Sequence, residues 1–403
     1  MYKKIEIAIA LLLIICMFTI PASAYEEKQA NIYPLEYAWE EFWYEEAEPS
    51  ATFTGDFPVR SALLMEASTG RVLYANNEHE KLPIASVTKI MATLLVMEAI
   101  SDGRVKLTDM VTVSDRAAHM GGSQVYLEFG EQMSVDDMLK ALIVVSANDA
   151  TVALAEHIYG SEETFIAEMN QRAKDLGMND TNFINTNGLD AEGHYSSAYD
   201  VALMTRALLK YPLVLEYTTI WMDTIRNGEF GLANTNKLIR FYKGANGMKT
   251  GFTSIAKYCL SGTAKRDGMQ LIAVVLGGDT SDERFACTKR MLDFGFANYT
   301  VVTPDKATLE PISITGGVSL TTGLDYTPPS LLIEKGKSGI ETKFEISESL
   351  DAPVAQGEIA GVVRYYLNGV EIGNAPIFCV EANNEIDFWT VFGRIWKNLL
   401  GIG

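Results

Sequence analysis

Between residues 57 and 298 the apolar positions change period several times, and each change marks an element. Residues 60–66 alternate into an apolar run, Ser68-Thr69-Gly70 interrupts it, and Val72-Leu73-Tyr74-Ala75 resumes it, a pattern that predicts a hairpin. Residues 87–100 are apolar throughout apart from Thr88, Lys89, Thr93 and Glu98. A helix so uniformly apolar belongs in a domain centre. Residues 134–159 read as helix, turn and helix, with Ser146-Ala147-Asn148 at the turn. Residues 197–210 predict another helix, with Ser196 or Ser197 as N-cap and Asp200 at its third position. Residues 257–263 and 270–276 have strand character, and 283–294 is helical. A hairpin, a helical cluster, further strands and a last helix predict an α/β (α+β) fold, an antiparallel sheet flanked by helices with a helical subdomain.

The pattern shifts near residue 298. Residues 299–383 show short β-rich runs separated by Gly, Pro and Asp turns, with Asn368-Gly369 as a strong hairpin signal, and they predict a small β domain without a catalytic cluster. Residues 384–403 form an amphipathic helix. At about 100° per residue, Phe388, Trp389, Val391, Phe392, Ile395, Trp396, Leu399, Leu400 and Ile402 fill one half of the wheel. Asp387, Thr390, Arg394, Lys397 and Asn398 fill the other. The helix is too short and too charged to span a bilayer. Its rings and cations suit a membrane interface, with docking on the protein body as the alternative.

The two ends frame these domains. Lys3 and Lys4, the apolar run at 7–20 and Ala22-Ser23-Ala24 make residues 1–24 a signal peptide, with an uncleaved anchor as the alternative. The mature protein is then expected to be exported, peripheral on the outer face of the cytoplasmic membrane, on the cell wall side. Residues 25–56 are acidic and aromatic, as in Trp39-Glu40-Glu41-Phe42-Trp43-Tyr44-Glu45-Glu46. They read as a solvated spacer, although the aromatics leave room for a docking role. Residues 57–298 are read as the compact main domain.

Composition removes several function classes. The formal charge of −19 excludes nucleic acid as a partner, because phosphate binding needs a cationic stripe. Outside the leader only Cys259, Cys287 and Cys379 remain, an odd set that reads as small buried residues rather than a disulfide framework. The four His are scattered without metal spacing, and no phosphate loop or cofactor fingerprint appears. No cofactor and no metal are expected.

Three motifs carry the chemistry. In Ser86-Val87-Thr88-Lys89 the nucleophile and a lysine base lie one helical turn apart on one face. The apolar helix around Lys89 suits a base whose pKa must fall. In Ser146-Ala147-Asn148 a tight turn directs both polar side chains the same way. The hydroxyl can relay a proton between Lys89 and a leaving amine, and the amide can fix Lys89 and bind a substrate carbonyl. Lys249-Thr250-Gly251 fits a strand edge where Lys and Thr hold a carboxylate and Gly admits the substrate backbone. The N–H groups of Phe252 and Ser86 are the candidate oxyanion hole.

With these three motifs in this order, the chain resembles the penicillin-binding proteins and serine β-lactamases. The sequences around them, together with Gly193-His194-Tyr195-Ser196-Ser197-Ala198, resemble the D-alanyl-D-alanine carboxypeptidases of the low-molecular-mass class, serine peptidase family S11. The resemblance covers about residues 57–300 specifically and the β domain and tail weakly. The acidic aromatic spacer departs from it. It implies a DD-peptidase/β-lactamase-like fold, peptidoglycan stem peptides as substrate, and β-lactam antibiotics as acylating ligands. Ser86 then expels the terminal D-Ala, Lys89 is the base and Ser146 the relay. Lys249 and Thr250 hold the carboxylate, and Arg284 falls where the family has an assisting arginine. His194 becomes a hydrogen-bonded wall residue of the cleft. A cross-link-cleaving DD-endopeptidase, a β-lactamase and a non-catalytic penicillin or cell-wall sensing module remain the alternatives.

Overall fold

The strands that read as near-continuous apolar runs are buried on both faces. Strands β1 (Ser61–Glu66), β2 (Val72–Asn76), β3 (Ala245–Thr253), β4 (Lys257–Arg266) and β5 (Met269–Gly278) form one sheet in the order β2-β1-β5-β4-β3. Every pairing in it is antiparallel. The computed structural model describes residue 53 and residues 57–400, without the side chains of residues 397 and 398. The predicted signal peptide and nearly all of the predicted spacer lie outside the described residues, as does Ile402.

Both faces of the sheet need cover, and helices supply it. On one face lies a large cluster built on helices α1 (Lys89–Ser101), α2 (Val135–Val144), α3 (Asn148–Tyr159) and α4 (Ala198–Leu208). On the other, α5 (Ser281–Asn298) packs Phe285, Met291, Leu292 and Phe296 against Leu64, Leu260, Leu271 and Val275. The predicted α/β (α+β) architecture with an antiparallel sheet is the observed one. α1 is buried around its circumference, as its composition requires. It begins two residues later than its apolar run, because Ala85–Thr88 wind as a tighter 3-10 turn. α4 starts after Ser197, whose hydroxyl accepts from the Asp200 N–H. α5 is longer than predicted because Thr280 and Glu283 cap it reciprocally, which starts the helix at Ser281.

The C-terminal region is built from short strands. β6 (Ile359–Leu367) and β7 (Val370–Cys379) pair as a hairpin. Asn368 and Gly369 both have positive φ (54° and 80°), as a two-residue turn of this kind requires. The seam with the catalytic body is packed: Tyr299 and Leu332 belong to the cluster beneath α5. The body also reaches back to Phe53, whose ring stacks on Phe57 and meets Phe294 at 4.7 Å. Helix α6 (Phe388–Leu400) keeps its apolar half free of the body: Trp389 is 69% and Leu399 75% exposed. Among the described residues no helix is long and apolar enough to cross a membrane. Cys259, Cys287 and Cys379 are free and buried.

Candidate active site

The 3-10 turn before α1 presents Ser86 at the mouth of a cleft between the helical cluster and the edge strand β3. Ala85 and Ser146 both adopt positive φ (47° and 65°), a conformation non-glycine residues hold only when their surroundings impose it. Each lies at a motif, and each turns a chain segment sharply toward the cleft. On the far side, Gly251 faces the nucleophile turn directly. A Cβ there would approach Ile84 O to 2.6 Å and Ser86 N to 3.1 Å. Glycine is therefore what allows the strand edge to close on Ser86.

Lys89 is fully buried, and its Nζ has three neighbours. It lies 3.1 Å from Ser86 Oγ, 2.6 Å from Asn148 Oδ1 and 2.9 Å from the Asn187 carbonyl. Burial pushes its pKa well below the ordinary lysine range, the Lys249 charge adds to this, and Asp149 opposes it. Two of the three neighbours are obligate acceptors. A neutral amine has two N–H bonds and one lone pair, so donating to both carbonyls turns the lone pair toward the Ser86 hydroxyl. That is the alignment a general base needs.

Asn148 is fixed as firmly as it fixes. Its amide nitrogen donates to Gly121 O at 2.6 Å, which turns Oδ1 toward Lys89. This uses one of the two amide hydrogens and leaves the second for another acceptor, as the expected contact with a substrate carbonyl requires. Asp149 is buried and accepts from the N–H groups of Val125 and Leu127, which ties loop 121–127 to the start of α3. Ser146 Oγ is buried without a hydrogen-bond partner among the described residues. A buried orphan hydroxyl costs free energy unless a ligand completes it.

The opposite wall carries the second buried lysine. Lys249 Nζ donates to Thr250 O at 3.0 Å. Desolvation, then the charge of Arg284, push its pKa down to about 7. Thr250 Oγ1 meets Thr235 Oγ1 at 2.7 Å. Arg284 is no surface residue: it is buried, and its Nη1 donates to the carbonyls of Gly251 (3.0 Å) and Cys259 (3.2 Å). It braces the strand from behind and adds positive potential, while its Nε stays unpartnered among the described residues. Phe252 follows on the outer edge of β3, its ring exposed and 4.4 Å from Tyr258.

The third wall was legible only in part. Loop 184–194 straps the other two together. Its Asn187 carbonyl holds Lys89, and Asp190 accepts from Thr253 Oγ1 at 2.7 Å at the end of β3. Gly188 has positive φ, and a Cβ there would collide with Ala85 O at 1.9 Å. His194 Nδ1 accepts from Ile184 N–H, which leaves Nε2 to donate to Thr88 Oγ1 at 2.8 Å. Burial lowers its pKa to about 4, so the imidazole is neutral, a hydrogen-bonded wall residue as expected. The strap and Ala85, with Ile255 opposite, line a half-open pocket of about 250 Å³. Among the described residues no group of His, Cys, Asp and Glu has the arrangement of a metal site.

A family model described as D-alanyl-D-alanine carboxypeptidase, peptidase S11, matches residues 47–280, and one described as the C-terminal domain of penicillin-binding protein 5 matches residues 318–385. The chain is similar to the D-alanyl-D-alanine carboxypeptidase DacF of Bacillus subtilis, with 43% identity over 347 residues, 83% of this chain and 88% of that protein. It is also similar to the carboxypeptidase DacC of Escherichia coli, with 37% identity over 350 residues, 84% and 86% of the two chains. Among solved structures, penicillin-binding protein 5 from Haemophilus influenzae matches with a TM-score of 0.74 and 31% identity, over 83% of this chain and all of that one. The ampicillin-bound penicillin-binding protein D2 from Listeria monocytogenes matches with a TM-score of 0.56 and 32% identity, over 61% of this chain and all of that one.

Proposed function

This chain belongs to the D-alanyl-D-alanine carboxypeptidase family of serine peptidases, and from that premise we propose how its own residues remove the terminal D-Ala of a peptidoglycan stem peptide. The substrate lies along the outer edge of β3 with its C-terminal carboxylate against Lys249 and Thr250, backed by Arg284. The penultimate D-Ala carbonyl then faces Ser86 where Gly251 leaves room. Neutral Lys89 takes the hydroxyl proton as Ser86 Oγ attacks, and the N–H groups of Ser86 and Phe252 receive the developing oxyanion. The peptide C–N bond breaks as the leaving amine takes a proton through Ser146, whose orphan hydroxyl gains a partner in that step. Water next attacks the ester with Lys89 again as base, releasing the shortened peptide. The observation that carries this reading is Lys89 itself, buried and held by two carbonyls with its third direction on Ser86.

A β-lactam offers the same acyl carbon and carboxylate, so penicillin is expected to acylate Ser86. Mass spectrometry of the enzyme with penicillin and with a diacyl-D-Ala-D-Ala peptide tests the assignment. A penicilloyl mass on the Ser86 peptide together with D-Ala release supports it. A label on another serine refutes the nucleophile. A label without D-Ala release marks a sensing module, and rapid penicillin turnover marks a β-lactamase.

The location proposed is the outer face of the cytoplasmic membrane. It is supported by the leader pattern at 1–24 and by the free apolar half of α6. Burying that face in the interface would stabilise association by several kcal/mol, at ~25 cal/mol per Å². Liposome flotation of a chain lacking residues 385–403 checks it. Continued flotation would place the anchor elsewhere.

A further inference from the structure

In a protein of charge −19, one face has gathered five cations, four of which make no ion pair among the described residues, with Asp267 and Asp293 as the acids nearby. Lys237, Arg240, Lys243 and Lys265 are exposed on the short helix Leu238–Phe241, the loop after it and the end of β4. None makes an ion pair among the described residues. Arg266 beside them donates to Lys243 O and meets one acid, Asp293, at 3.7 Å. Aromatic rings are interleaved with these cations. The Arg240 guanidinium lies 5.5 Å from the Trp221 ring and 5.6 Å from that of Phe241, which is 67% exposed. Arg266 lies 4.5 Å from Tyr242 and from Phe296. The Trp221 indole N–H is buried and finds no acceptor among the described residues. The surface thus offers unpaired positive charge and stacking faces.

We propose that this basic aromatic face is the docking surface for the chain's own acidic aromatic segment, residues 31–52. That segment holds six glutamates, six aromatic rings and no cation, the complement of the face in charge and its match in stacking. It also starts from the right place. Phe53, directly after it, is anchored on Phe294 near the end of α5. Two residues further along the same helix and on its opposite side, Phe296 lies beneath Arg266, so the segment has to pass around α5 to reach the face. Residues 39–46 precede Phe53 by 7 to 14 positions, a reach of up to about 25–45 Å at ~3.3 Å per residue. A folded body of this size is about that wide. Linked to the body through Phe53, the segment binds at a high effective concentration, so weak individual contacts suffice. The occupied face adjoins the clamp strand, because Thr235, two residues before Lys237, touches Thr250.

The test uses the chain from residue 25 to 403 with a photoreactive benzoylphenylalanine replacing Phe42, irradiated at low protein concentration and mapped by peptide mass spectrometry. Cross-links are expected on residues 221–243 and 265–268. Their yield should fall at least fivefold in K237E/R240E and in 0.5 M salt, and adding E45K/E46K to K237E/R240E should restore it. D-Ala release by K237E/R240E should match the parent, which shows that the body is folded. A second variant, K243E/K265E, should lower the yield in the same way. Cross-links mapping to another face, cross-links between two chains, a yield indifferent to these charges, or no cross-link at all would each overturn the proposal.

Discussion

The two walls of the cleft each bury a lysine, and the two lysines are set up for opposite tasks. Lys89 has three neighbours that together consume its hydrogens and aim its lone pair. Lys249 has one carbonyl and a second cation nearby, so its site is left wanting an anion. Burial lowers both pKa values. The difference lies in the partners. In the proposed mechanism, surplus acceptors orient one buried lysine as a base, whereas too few acceptors beside an arginine leave the other to receive a carboxylate. Residue type alone therefore does not assign the role, and substitutions can separate the two.

The largest effect is expected on the nucleophile wall. Lys89→Ala should lower acylation by penicillin and by peptide about 10³-fold, the range for loss of a general base, with carboxylate and ester substrates losing equally. Asn148→Ala should cost less, about 10–100-fold, because Asn187 O still holds one hydrogen of Lys89. Stopped-flow acylation rates measure both. If Lys89→Ala acylates at near the parental rate at neutral pH, the assignment of the base fails.

On the clamp wall the effect should be smaller and selective. Lys249→Ala removes a charge-assisted contact and should reduce kcat/KM about 10–100-fold for substrates with a free carboxylate. Methyl-ester analogues should lose little. Equal losses for acid and ester would mean that Lys249 acts on the catalytic groups instead, and the comparison between the walls would collapse.

How much of this was legible follows from what carries each feature. The three motifs were visible because the proposed chemistry requires particular side chains at short spacings, and the structure brings all three to one cleft. The hairpin at Asn368-Gly369 was visible because few dipeptides tolerate two positive φ values in a row. The third partner of Lys89 was not visible, since a backbone carbonyl leaves no residue signature. An Asn-Gly pair at 187–188 is a signal that could have marked a tight turn there, and the 1.9 Å clash a Cβ would meet at Gly188 is the physical reason for the glycine. The burial of Arg284 was equally hidden, because it depends on α5 packing behind β4. The start of α5 was readable in the Thr280 and Glu283 pair yet was set too late by the apolar pattern.

The pH profile sharpens the contrast further. The proposed mechanism requires a free enzyme with Lys89 neutral and Lys249 charged. As pH rises through about 7, Lys249 loses its proton and kcat/KM for a carboxylate substrate should fall, by tenfold per unit at the limit. Lys249→Arg should push that falling limb toward strongly alkaline pH, because a guanidinium stays protonated. An ester substrate should show no such limb. A fall of the same shape for acid and ester would assign it to some group other than the clamp.

The smallest effect on turnover is expected at the strap that joins the two walls, and its signature is stability rather than rate. His194 donates to Thr88, next to Lys89, and its ring is held neutral by burial, with a pKa of about 4 against 6.5 for the free side chain. A group whose folded pKa is depressed in this direction takes up its proton more readily when unfolded. The unfolded chain therefore gains relative stability as pH falls from about 6.5 to about 4, by up to ~3 kcal/mol for this one residue. His194→Gln keeps a side chain able to donate to Thr88 and removes the titration. At pH 7.5 its D-Ala release should lie within about threefold of the parent, since neither wall loses a group that touches substrate. Between pH 6.5 and 4.5 its denaturation midpoint should drop less than that of the parent. Parallel drops in the two proteins would show that acid destabilisation enters through other groups. A rate loss as large as that of Asn148→Ala would show that the strap sets the geometry of Lys89 more tightly than its distance from the reacting atoms implies.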